Sequence, residues 1–126
     1  MEDQQLARVL AASRVGLGTL LLLAPSVVAR AWVGEGAEEP SAKALARALG
    51  ARDVALGLGA LIALSHGESP RGWLEASALA DAGDALATLV GWAHLPTLRR
   101  WLALGASVSA AYLGTRLARR EAGAAP

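Results

Sequence analysis

Residues 48–64, ALGARDVALGLGALIAL, and residues 74–93, LEASALADAGDALATLVGWA, each read as an apolar helix with charge set into its middle. Arg52 and Asp53 interrupt the first; Asp81 and Asp84 interrupt the second. Without those residues both stretches would pass for membrane-spanning helices. A carboxylate at the centre of a bilayer costs at least about 2.5 to 3.5 kcal/mol on insertion scales, so three of them call for partners or a purpose.

Working outward, four apolar segments are expected, near residues 6–32, 42–65, 72–93 and 98–119. The breaks between them are short. The first runs from Gly34 to Pro40, with Ser41 as the expected cap of the next helix; the second is His66 to Gly72; the third is His94 to Pro96, with Thr97 as the expected cap. Connections this short make neighbouring helices antiparallel. The expected fold is therefore all-α: a single domain over residues 1–126, built as an up-down-up-down four-helix transmembrane bundle. Within the first segment Pro25 kinks or ends the helix, leaving Ser26 to Val33 as a short turn lying at the interface.

Composition leans toward lipid: 54% of the residues are hydrophobic and 18% charged, against about 25% charged in ordinary soluble domains. The net charge is +1 and the basic residues are scattered, which argues against a nucleic-acid surface. With no cysteine there is no disulfide framework, thiolate metal site or thiol nucleophile. The acidic start, Glu2 and Asp3 ahead of Arg8, does not resemble a secretory signal, and no lipidation motif stands at either end, Gly123-Ala124-Ala125-Pro126 included. Trp32, Trp73, Trp92 and Trp101 all fall at expected helix ends, where an indole has an apolar body in lipid and a wet N–H. Small residues one turn apart, at Ala46 and Gly50, Gly105 and Ser109, Ala106 and Ala110, and Ala110 and Gly114, suit close helix crossings. Against this, no charge-free run reaches the 18 residues or so of a clear span, so a soluble alanine-rich bundle stands as the competing architecture. The expected setting is the cell membrane, crossed several times.

Counting about 1.5 Å per residue from the end that carries the termini puts Arg14 at a depth of about 12 Å, Asp81 about 14, Asp53 about 16, and Arg52 and Asp84 about 18. All five share one level. Asp81 and Asp84, three apart, lie on one helix face, whereas Arg52 and Asp53 are about 100° apart and are expected to point differently. Three acids and two bases in a dry interior should pair, leaving one acid in surplus. Asp53, Asp81 and Asp84 are thus the candidate catalytic residues; Arg14 and Arg52 are the candidate substrate-binding residues, with Tyr112 as a further member if its hydroxyl reaches the group. His66 and His94 belong at opposite ends of the bundle, so no shared metal or haem site is expected, and neither a metal nor another cofactor is implied.

The stretch from Arg47 to Gly59, RALGARDVALGLG, and the stretch from Ala80 to Ala85, ADAGDA, resemble an uncharacterised family of small four-helix membrane proteins found in actinobacteria and other bacteria. The resemblance implies four membrane helices and brings no reaction with it. A small multidrug transporter of similar length would carry a glutamate in its first helix, where this chain has Arg14. Two functions compete. In the first, the Asp/Arg group binds a lipophilic small molecule or performs acid–base chemistry on it. In the second, the polar network is purely architectural, and the chain is an accessory subunit that joins a homo-oligomer or a larger membrane complex through its small-residue faces; a soluble interaction module is the third possibility. In the first two the lipid bilayer is the constant partner.

Overall fold

A computed structural model describes residues 2–123; Met1 and residues 124–126, which belong to the carboxyl end expected to carry no lipidation motif, lie outside the described residues. Every element among them is helical. Five α-helices, not four, follow one another: α1 Glu2–Leu23, α2 Pro25–Val33, α3 Pro40–Ser65, α4 Arg71–Val90 and α5 Thr97–Gly123. Two short 3-10 turns, Gly34–Glu38 and Trp92–His94, precede α3 and α5. The fifth helix comes from Pro25. Its ring forbids continuation of α1 and pushes Ala24 out of helical geometry, to φ −134° and ψ 64°, but its fixed φ suits the first position of a new helix, so the expected turn is a two-turn helix instead.

Proline also overrides the expected cap at Ser41. Pro40 takes the first helical position, Glu39 precedes it in extended conformation, and Ser41 lies inside α3. Thr97 is likewise the first residue of its helix.

The long helices associate as two close pairs, α1 with α3 and α4 with α5. Glycine brings the first pair together. Gly18 of α1 crosses Gly50 of α3, and Gly57 of α3 crosses Ala11 of α1, so the two helices run antiparallel. A Cβ on Gly18 would lie 2.6 Å from the Gly50 carbonyl oxygen, and one on Gly50 would lie 2.6 Å from that of Gly18. In the second pair Gly114 packs on Ala78. The remaining small-residue spacings in α5 are used differently: Gly105 and Ser109 face outward, and Ala106 and Ala110 line a cavity.

The packing is inverted relative to an ordinary water-soluble core. Among the described residues thirteen hydrophobic side chains are buried; nine are alanine, and the larger ones are Leu21, Leu64, Leu74 and Leu117. The big aliphatic residues point outward along the whole length: Leu23 is 79% exposed, Leu79 75%, Val90 80% and Leu98 71%. Ala7, Leu64, Leu74, Leu117 and Ala118, with Leu10 beside them, close the end of the molecule that carries the termini. Two helices, α1 and α3, are long and apolar enough to cross a membrane.

At the opposite end, Glu38 ties the first 3-10 turn to its neighbours, accepting hydrogen bonds from Arg30 and an ion pair from Lys43 at 3.0 Å. Lys43 first, and Arg30 after it, hold the Glu38 carboxyl below the usual carboxylate range. Because the folded value is lowered, this tie is complete above the ordinary range and is lost as pH falls through the lowered value. Acidification is expected to release the backbone around the fully buried Ala37, seen as faster amide exchange at residues 34–39, and Glu38→Gln should abolish that pH dependence.

Candidate site: an ion-paired group on a cavity wall

Three helices contribute to a continuous chain of ion pairs. Arg14 of α1 donates from Nη1 to Asp53 Oδ1 of α3 at 2.9 Å and from Nη2 to Asp81 Oδ2 of α4 at 2.5 Å. Arg52 of α3 grips Asp84 of α4 with both ends of its fork, Nη1 to Oδ1 at 2.9 Å and Nη2 to Oδ2 at 2.7 Å. Its Nε and Nη2 also reach Asp53 Oδ1 at 3.3 and 3.2 Å. The order is thus Asp81, Arg14, Asp53, Arg52, Asp84. Asp53 and Asp81 are each only 6% exposed.

The five residues expected at one level are brought together. One detail differs. The Arg52 and Asp53 backbones do project at different angles, but the long arginine side chain curls back toward α4 and passes Asp53 on the way. Tyr112 does not join them. It is 63% exposed and lines a separate, more open depression on the outside of α4 and α5, with Glu75, Leu79 and Arg116. Glu75 pairs with Arg71 one turn earlier, at 2.8 Å. His66 ends α3 and His94 ends the second 3-10 turn. Among the described residues no three His, Asp or Glu side chains converge on a point where a metal ion would sit; guanidinium groups separate the three aspartates.

What sequence reasoning missed is the space beside these charges. The two helix pairs are splayed, and a cavity of about 850 Å³ opens between them, with α2 across one end. All five members of the ion-paired group line it. Their only polar company among the lining side chains is Ser13, Ser77, Ser107 and the indole of Trp32; alanine, leucine and valine supply most of the remainder. Val28 and Trp32, four apart on α2, share the helix face turned toward it, a spacing visible in the sequence but not singled out there.

This arrangement can do two things physically. It fixes α1, α3 and α4 in register through charge-assisted hydrogen bonds, whose directionality exceeds that of alanine packing. It also sets charge on the wall of an apolar recess of ligand-holding size, the usual form of a small-molecule site. Compared with known proteins, the chain matches no family model, no curated protein and no solved structure.

Proposed function

We propose that this chain is an integral membrane protein of several spans, of the kind its two distinctive motifs resemble, and that its Asp/Arg group binds a lipophilic small molecule inside the bilayer. The observation that carries the binding reading is the cavity: five charged side chains on one wall and an otherwise almost wholly apolar lining. Purely architectural charges need no open space beside them, whereas here Arg52 and Asp84 keep 30% and 17% of their side-chain surface exposed next to the recess.

Support for the membrane setting comes from the inverted packing. Water would drive leucine and valine inward, whereas lipid, as apolar as leucine itself, leaves association to close backbone approach at glycine and alanine. That is the distribution found here. The four long helices, of 20 to 27 residues, reach about 30 to 40 Å, enough for a hydrocarbon layer of about 30 Å. In α4 the two aspartates that depress its apolar character are ion-paired with Arg14 and Arg52, and α5 carries no charge between Trp101 and Thr115. Trp73 sits at one end of the molecule; Trp92 and Trp101 pair edge to face at the other, 4.7 Å between centroids, with the Arg100 guanidinium over Trp92. Aromatic rings at both ends fit headgroup layers on both sides.

The protein is expected to stay in the membrane fraction after an alkaline carbonate wash; release into the supernatant would overturn the membrane reading. For the site, rigid hydrocarbon cages bearing one polar head should raise the unfolding temperature of protein in lipid nanodiscs. Ala110→Trp, which fills the cavity from α5, should remove that shift while the ligand-free unfolding temperature stays close to that of the parent. If Ala110→Trp leaves the shift intact, the cavity is not the site.

A further inference from the structure

The sign of the site's charge narrows its ligand, on the reading that the cavity is a binding site. Two guanidinium groups face three carboxylates there, and among the described residues no other charged side chain lines the cavity, so with all three acids ionised the wall carries one negative charge in excess. In a dry interior an uncompensated ion is far costlier than a paired one.

Every side-chain nitrogen of the two arginines except Arg14 Nε already donates to a carboxylate of the group. The guanidinium charge is thus already matched by carboxylate, and an anionic ligand would add to the negative excess. The carboxylates, by contrast, keep oxygens spare. Every bond to Asp53 falls on Oδ1 and the one to Asp81 falls on Oδ2, leaving Asp53 Oδ2 and Asp81 Oδ1 without a hydrogen bond among the described residues. Both residues are more than nine-tenths buried, yet both line the cavity, and neither spare oxygen is sealed off without a partner. Asp81 has the fewest partners of the three: Asp84 receives a complete arginine fork and Asp53 is touched by both arginines, while Asp81 receives only Nη2 of Arg14, whose Nη1 goes to Asp53.

We infer that the cavity takes a lipophilic organic monocation, a protonated amine on an apolar body, with its ammonium hydrogens donated to the spare oxygens of Asp81 and Asp53. The apolar body lies against the leucine and alanine lining, and the single positive charge balances the wall. The arginines then serve to hold the acids in place, not to grip the ligand.

Three molecules with the same cage test this directly: aminoadamantane, which is protonated at neutral pH, adamantanol and adamantane carboxylate. Each is titrated by calorimetry into the whole protein in nanodiscs of zwitterionic lipid, with protein-free discs subtracted for partitioning. The amine is expected to bind at least about tenfold tighter than the alcohol, with the carboxylate weakest. Asp81→Asn, which cancels the excess charge, should bring the amine down to the level of the alcohol. Equal binding of all three cages would overturn the cation inference and leave the cavity standing as a site; preference for the carboxylate would do the same; no binding of any cage would overturn both. Retention of the full amine preference in Asp81→Asn would also sink the assignment, and should that variant fail to fold, the ranking of the three cages on the parent protein decides alone.

Discussion

Arg14→Leu is expected to unfold this protein or bar it from accumulating in the membrane. Among the described residues Arg14 alone joins Asp81 to Asp53, and its removal strips Asp81 of the one ion pair seen there while leaving Asp53 with the longer contacts from Arg52. Deleting one partner of a buried ion pair costs about 3 to 5 kcal/mol, because the remaining charge stays buried without compensation. A loss of that size is a large part of the stability of a 126-residue chain. Thermal unfolding of purified protein in mild detergent reads it directly, and an unchanged midpoint would mean that the ion pairs hold nothing together.

The companion variant is more telling. Changing Arg14→Met, Asp53→Asn and Asp81→Asn together removes the broken chain altogether and leaves only the balanced pair of Arg52 with Asp84. Replacing a whole buried network by neutral groups is often harmless to stability, so this protein should fold again, with an unfolding temperature near that of the parent. It should nevertheless fail to bind a caged amine. Fold regained with binding lost separates a ligand site from a brace, since a group whose sole work is bracing has no further property to lose.

The second large effect is expected at the crossing of α1 and α3. Gly50→Leu places a side chain where the Gly18 carbonyl oxygen lies 2.6 Å from the Cβ position, with Leu21 Cβ at 2.8 Å and the Leu22 nitrogen at 3.1 Å. Two of those three obstacles are backbone, which cannot rotate away. Overpacking usually costs about 1 to 3 kcal/mol, and here relief requires the helices to part, so the loss should reach or pass the top of that range. Because the shift would also move Arg14 relative to Asp53, the lost stability and lost ligand binding should appear together. Gly105→Leu is the matched control: nothing lies within 4 Å of its Cβ position, and the unfolding temperature should scarcely move. Equal behaviour of the two variants would refute the crossing.

That contrast marks how far the chain could be read without its structure. Helix positions follow from turn residues, and the shared level of Arg14, Arg52, Asp53, Asp81 and Asp84 follows from counting rise along antiparallel segments, because both depend only on local geometry. Which small residues touch was not legible. Ala46 with Gly50 and Gly105 with Ser109 have the same spacing, yet one pair is buried in the α1–α3 interface and the other faces outward; in a chain with 14 glycines the pattern recurs too often to discriminate. Gly18, the partner on the other side of the crossing, drew no notice because no small residue stands four positions from it in either direction. The mid-helix position of Tyr112 left open whether its hydroxyl reaches the polar group; rotation about the α5 axis, which sequence does not specify, turns it outward. The cavity was equally invisible, since it results from how two helix pairs splay, a property of tertiary packing alone.

The leucine and alanine plug formed by Ala7, Leu64, Leu74, Leu117 and Ala118 has a consequence for traffic through the molecule. The recess is stopped about two turns from Asp81, at Leu74, and among the described residues no polar lining continues past it toward the terminal face. At that end it is a cul-de-sac rather than a conduit: whatever reaches the aspartates arrives from the side of the recess away from the plug.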